Sequence, residues 1–173
     1  MMEYEFALKF AVPGTNADEF VERLGAAGCT DALVGIGQPG RIALNFTREA
    51  NSAMSAIASA IEDSRRAIPT AKFLEITPDF VGLSDVAELV DVSRQNMRKL
   101  MLKHAATFPS AVHEGSSAVW HLYPVLQWLS DHANYSVPQA LFDVAHIAMQ
   151  INLAKESKQL ERGVQHEISE LVA

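Results

Sequence analysis

Between residues 4 and 12 every second side chain is a sizeable apolar one: Tyr4, Phe6, Leu8, Phe10 and Val12, with Glu5, Ala7, Lys9 and Ala11 between them. Successive side chains of a strand point to opposite faces, so this spacing predicts a strand buried on one face and open on the other. Ile42, Leu44 and Phe46 repeat the pattern after the turn residues Gln38-Pro39-Gly40. Two one-sided strands commit the chain to a sheet covered on a single face, and helices must supply the cover.

The helices are legible. Asn16 and Glu19 make a capping-box-like start, Phe20, Val21, Leu24 and Ala27 share a face, and Gly28 ends the segment. Ala50–Ile68 carries Ala53, Ile57, Ile61, Ser64 and Ile68 on one side and is closed by Pro69. Leu33, Val34 and Ile36 predict a short strand, and Phe73, Leu74 and Ile76 a last one stopped by Thr77-Pro78. The order β-α-β-β-α-β predicts a ferredoxin-like domain over residues 1–79, with an antiparallel sheet and both helices on one face. That arrangement hosts many activities and implies none.

The stretch Leu83-Ser84-Asp85-Val86-Ala87-Glu88-Leu89-Val90-Asp91-Val92-Ser93-Arg94-Gln95-Asn96-Met97-Arg98-Lys99-Leu100 has helix-turn-helix spacing. Ser84 can cap the first helix and Ser93 the second. Ala87 is small where two crossing helices approach, and Val86, Val90, Val92, Met97 and Leu100 form the apolar seam. Arg94, Gln95 and Asn96 then fall in the first turn of the second helix, with Arg98, Lys99 and Lys103 further along. A recognition helix offers its N-terminal residues to base edges, Arg suiting guanine and Gln or Asn suiting adenine.

With Phe108-Pro109, a Gly115 turn, Val119-Trp120 and Val125-Leu126-Gln127-Trp128-Leu129 following in order, residues 80–132 resemble the winged helix-turn-helix of MerR, excisionase and AlpA-type DNA-binding proteins. The resemblance implies double-stranded DNA as partner, Ser93, Arg94, Gln95, Asn96, Arg98, Lys99 and Lys103 as the contact set, and His113, Ser116 and Ser117 as weaker wing contacts. Asp91 stands where the family carries Gly in the turn, and Asp tolerates the left-handed conformation better than most residues. The wing holds His113, Glu114 and His121 but no Arg or Lys, so Ser110, Ser116 and Ser117 are its candidates for phosphate.

Charge sharpens this reading. The chain of 173 residues carries a net charge of −7, which excludes a whole-surface attraction to nucleic acid or anionic membrane. Residues 1–80 have 7 basic and 11 acidic groups, a balance that repels DNA. All four Lys/Arg of residues 81–133 lie between Arg94 and Lys103, with no acid among them. Such a local strip is what specific DNA binding by an acidic chain requires.

Other chemistry is thin. Cys29 is the one cysteine, so no intrachain disulfide forms, and it is read as a small buried hydrophobe. His113 and His121 can meet across the wing, but without Cys or acidic co-ligands they are read as exposed wing residues rather than a metal site. Gly35-Ile36-Gly37-Gln38-Pro39-Gly40 suits a hairpin better than a phosphate loop. Trp120 and Trp128 are read as core of the winged domain. No nucleophile–base pair, cofactor motif or catalytic constellation is visible, and an enzyme is not expected. No apolar run reaches the roughly 18 residues of a membrane span, and Met1-Met2-Glu3-Tyr4-Glu5 does not open a secretory signal. A cytoplasmic protein is expected.

Residues 134–173 predict one long helix, with Ser136 and Gln139 as a capping box around Pro138. The stripe Val137, Leu141, Val144, Ala148 and Ile151, continued by Leu160, Val164, Ile168 and Leu171, predicts a homodimer through this helix. The whole reads as an α+β chain of three segments, 1–79, 80–133 and 134–173. Its expected role is a dimeric, sequence-specific transcriptional regulator whose N-terminal domain senses a ligand or binds a protein. The alternatives are an antitoxin-like interaction protein and an excisionase-like architectural factor.

Overall fold

A computed structural model describes every residue except Thr15, Ile36 and Ala173, and the side chain of Ala17 is also left aside. The strand expected at residues 33–36 therefore has one member, Ile36, outside the described residues. The chain is a mixed α+β structure. Its larger sheet is built from β1 (Met2–Ala11), β2 (Ala32–Gly35), β3 (Arg41–Ala50) and β4 (Lys72–Thr77), in the spatial order β2-β3-β1-β4. All three pairings are antiparallel. The alternation read from the sequence is used as expected. Tyr4, Phe6, Leu8, Phe10, Val12, Ile42, Leu44 and Phe46 are buried on one face, and Leu8 and Phe10 lose all contact with solvent. The other face carries Glu5, Ala7, Lys9, Ala43, Asn45 and Thr47, and a cleft joins its Glu5, Ala7, Asn45 and Thr47 to Leu89, Pro138, Ala140 and Leu141.

Local signals set the boundaries, and several differ from the expectation. The helix α1 (Ala17–Ala26) starts without a side-chain cap from Asn16. Glu19 reaches forward to Arg23 at 2.6 Å, one turn along, instead of back to the cap. Its end is a Schellman motif: Gly28 at φ +84° lets Cys29 N–H reach the Leu24 carbonyl at 3.0 Å. Strand β3 runs to Ala50, because Ala50 still pairs with Met2. The next helix, α2 (Ala53–Ala67), therefore starts three residues later than expected, in a capping box between Ser52 and Ser55. At the β2–β3 turn Arg41 N–H donates to the Gln38 carbonyl, with Gly40 at φ +76° after Pro39.

A second small unit follows. Strand β5 (Phe80–Val81) pairs with β6 (Trp120–His121). Between them lie α3 (Leu83–Leu89) and α4 (Arg94–Lys103), and after them α5 (Leu122–Ala133). Val86, Ala87, Met97, Leu122, Val125, Leu126 and Leu129 are its buried centre. Phe108 packs edge-on against both Trp120 and Trp128. Each indole N–H is satisfied, Trp120 donating to the Pro109 carbonyl and Trp128 to the Thr107 hydroxyl. These two residues are core, as expected.

The C-terminal segment departs most from expectation. It is two helices, α6 (Gln139–Ser157) and α7 (Gln165–Leu171), with Gly163 in the break. Pro138 is the N-cap, with no side-chain bond from Ser136, and Gln139 donates forward to Asp143 at 2.7 Å. The first part of the stripe predicted to form a dimer, Val137 to Ile151, packs within the chain. Val144, Ala148 and Ile151 join the core under the sheet, beside α2, while Val137, Leu141, Phe142 and Ala145 join the core of the second unit. The stripe's continuation, Leu160, Val164, Ile168 and Leu171, stays exposed. Helix α6 lies against β1 and β4 of the sheet as well as against α5, so one apolar stripe serves two cores of the same chain.

Where the units meet, Asn152 is buried and acts as a surrogate strand. Its carboxamide oxygen accepts from Ile76 N–H at 3.0 Å, and its NH2 donates to the Ile76 carbonyl at 2.9 Å, pairing the outer edge of β4. The same NH2 donates to Asp79 Oδ2 at 2.8 Å. Asp79, fully buried, accepts at Oδ1 from His121 Nδ1 at 2.8 Å, and its main-chain carbonyl accepts from Leu122 N–H. Every buried side-chain polar atom of this cluster has a partner, which low-dielectric burial demands. His121 is thus a half-buried structural residue rather than an exposed wing residue.

Candidate nucleic-acid interface

Helix α4 is held by one buried side chain and one cap. Met97 is fully buried against α3 and α5. Ser93 Oγ accepts from Asn96 N–H at 3.2 Å. The turn before it closes through Val92 N–H to the Ala87 carbonyl at 2.9 Å, with Asp91 at φ +54°. That is the left-handed position expected of it. The first helix is capped differently: Asp85 reaches back to Gly82 N–H at 2.7 Å, so Ser84 is not the cap and its hydroxyl stays exposed.

With Met97 pointing inward, the other side of α4 faces solvent. Arg94, Gln95, Asn96, Arg98, Lys99 and Lys103 are all exposed. Among the described residues, none of Arg94, Arg98, Lys99 and Lys103 has a carboxylate within 4.0 Å. The chain from Val112 to Val119 folds back beside this helix, closed by Val112 N–H and Val119 N–H to the carbonyls of Val119 and His113. A cleft of about 640 Å³ lies between this hairpin and α4.

The cleft brings together part of the predicted set. Arg94 and Arg98 line one wall, Ser116 and Ser117 the other, and Ser84 and Asp85 the floor at the start of α3. Gln95, Asn96, Lys99 and Lys103 lie on α4 outside it, and so does His113, whose ring rests over Gly115. A Cβ on Gly115 would sit 2.8 Å from His113 Nε2, so the glycine makes room for that ring. Ser84 is the residue that sequence reasoning assigned elsewhere. Its role changes because the N-cap falls two residues before it, at Gly82, and only the Asp85–Gly82 bond reveals that. Comparison with known proteins adds no relative. No family model, curated protein or solved structure matches the chain.

The arrangement offers donors to an anion. Two guanidinium groups face three hydroxyls across an open cleft, a donor set matching phosphate oxygens, and Asp85 has one carboxylate oxygen engaged at the helix start. Among the described residues no group of three or more His, Cys, Asp or Glu could hold a metal ion. Cys29 is buried, and desolvation, with Asp63 nearby, pushes its thiol above the ordinary range, which disfavours the reactive thiolate. No helix of the described residues is long and apolar enough to cross a membrane.

Proposed function

We propose that this chain is a sequence-specific, double-stranded-DNA-binding regulator of transcription, with α4 as the recognition helix and the 112–119 hairpin as the wing of a winged helix-turn-helix. The observation that carries the reading is the solvent face of α4: six polar or cationic side chains without an acid among them, on a helix fixed by Met97 and Ser93. Arg94, Gln95 and Asn96 stand in the first turn, from which base edges are reached, and Arg98, Lys99 and Lys103 follow toward the phosphates. The resemblance to MerR, excisionase and AlpA-type proteins supports it. The strand order β2-β3-β1-β4 supports a ferredoxin-like N-terminal domain, which carries the net negative charge, stays off the duplex and binds a ligand or protein.

Selection of binding sites from random duplex DNA tests this. The expected result is a recovered consensus whose binding weakens by one to two orders of magnitude in Arg94→Ala and Asn96→Ala, about 1–3 kcal/mol each. Recovery of no consensus, or equal binding by wild type and both variants at low salt, would overturn it.

A further inference from the structure

A second cleft lies where three elements meet: the C-terminal half of α2, the start of β4 and the end of α6. It encloses about 720 Å³, a size ordinary for small-molecule sites. Four cations stand around it: Arg65 from α2, Lys72 from β4, and Lys155 and Lys158 at the end of α6. No Asp or Glu lines it among the described residues. Arg65, Lys72 and Lys158 are exposed, and among the described residues none of them has a carboxylate within 4.0 Å; Lys155 pairs with Glu156. The floor is apolar. Ile61, Phe73 and Ile151 are half-buried at the margin of the core that α2 and α6 share with the sheet. Leu74 joins them at a bulge: Phe73 pairs with Phe10 and Glu75 with Lys9, so Leu74 has no partner on β1.

In a chain of net charge −7, four of the 14 Lys/Arg at one apolar cleft call for a reason. Cations favour the last turn of a helix, which accounts for Arg65, Lys155 and Lys158 one at a time. It does not account for Lys72, nor for two helix ends brought to one apolar floor. Each helix end contributes about half a negative charge and Glu156 one more, so the four cations leave an excess of about two positive charges. We infer that this cleft binds a small amphiphilic organic anion: a phosphate or carboxylate head among Arg65, Lys72 and Lys158, on an apolar body lying along Ile61, Phe73, Leu74 and Ile151. A phosphate monoester, with nearly two charges at neutral pH, matches the excess. Duplex DNA matches it less well, having phosphates on a convex surface and no apolar body to cover the floor. The site gives the ligand role proposed for the N-terminal domain a place and a chemistry. It is read without DNA, so failure of the α4 reading would leave it standing.

The test is calorimetric titration of the full chain with decyl phosphate below its micellar concentration. One molecule per chain should bind with micromolar affinity. Inorganic phosphate and decanol, the head and the body apart, should each bind at least about a hundredfold more weakly. Arg65→Glu and Lys72→Glu should each weaken decyl phosphate by about tenfold. Both residues are exposed and outside the chain's ion pairs among the described residues, and wild-type circular dichroism checks that the variants are folded. Vesicles of phosphatidylglycerol should not sediment the chain, because a concave site takes a free molecule. No binding of decyl phosphate, equal binding of inorganic phosphate, or equal binding by both variants would overturn the proposal. Attachment to vesicles without binding of monomeric decyl phosphate would also overturn it. Variants that lose duplex DNA while keeping decyl phosphate would assign the cleft to nucleic acid instead.

Discussion

Arg48 and Arg94 are the same side chain in opposite circumstances. Arg48, on β3, is held at the sheet margin by five contacts. Nε and Nη2 donate to the two Asp31 oxygens at 2.6 and 3.0 Å, and Nη1 donates to Ser59 at 2.9 Å. Nη1 also pairs with Asp63 at 2.9 Å, and the guanidinium lies 5.0 Å from the centre of the Phe46 ring. Its side chain is 12% exposed. Arg94 stands on α4 with no carboxylate in reach. The first arginine spends its donors within the chain and fixes the β2–β3–α2 corner. The second leaves its donors to solvent. A guanidinium's partners, more than its presence, separate a structural cation from a binding one.

That contrast can be broken in several ways. The largest effect belongs to Arg48→Ala, which strands Asp31 and Asp63 close together without a cation. A loss of about 2–3 kcal/mol of unfolding free energy is expected, below the full figure for a buried pair because both acids keep some solvent. Urea denaturation reads it, with DNA binding unchanged at temperatures where the variant is folded. Arg94→Ala should do the reverse. It should cost about 1–3 kcal/mol of affinity for the preferred site and leave the unfolding free energy within about 0.5 kcal/mol of wild type. Both losses appearing in both variants would erase the distinction.

A third prediction uses acid. Arg48's hydrogen bonds hold the Asp31 carboxyl below the ordinary aspartate range, while Asp31 in turn raises Arg48. A carboxyl whose folded value is depressed adds stability above its unfolded value of about 4, and that stability is lost as pH falls through the lower folded value. Wild type should therefore weaken below about pH 4 more steeply than Arg48→Met, in which Asp31 loses the cause of its shift. Parallel stability–pH curves would sink this account. The smallest effect is Lys103→Ala. It should weaken all DNA sequences alike and reduce the salt slope of binding by about one. A change confined to one base pair would make Lys103 a reader instead.

What the sequence disclosed follows from the range of each signal. Period-two alternation, the left-handed Asp91 and the Ser93 cap are local, and each appears where the residues predict it. The cap of α3 was misassigned because Ser84 and the Asp85–Gly82 bond both satisfy the first turn, and only the path of the preceding strand decides between them. The use of α6 was not legible, since a single apolar stripe describes equally a helix paired with a second chain and one wedged between two cores of its own. Phe142 and Ala145, on the flank of that stripe, were the trace of the second core. Asn152, one turn after Ala148 on the apolar side, was the trace of a buried polar partner. The cleft set of Arg94, Arg98, Ser116 and Ser117 joins residues some twenty positions apart, and no periodicity reports such a meeting.

Helix α6 belongs to both cores at once, and Asn152 ties it to the edge of β4 and to Asp79. The consequence concerns heredity and engineering alike. The half that carries α4 cannot be lifted out and grafted onto another carrier by cutting near residue 80, because α6 would then lose the sheet that covers Val144, Ala148 and Ile151. Exchange between relatives would have to carry α6 along, or else rebuild two cores in a single step. A chimera joined after residue 133 should come out of the cell insoluble, whereas one joined beyond Ser157 should keep its shape.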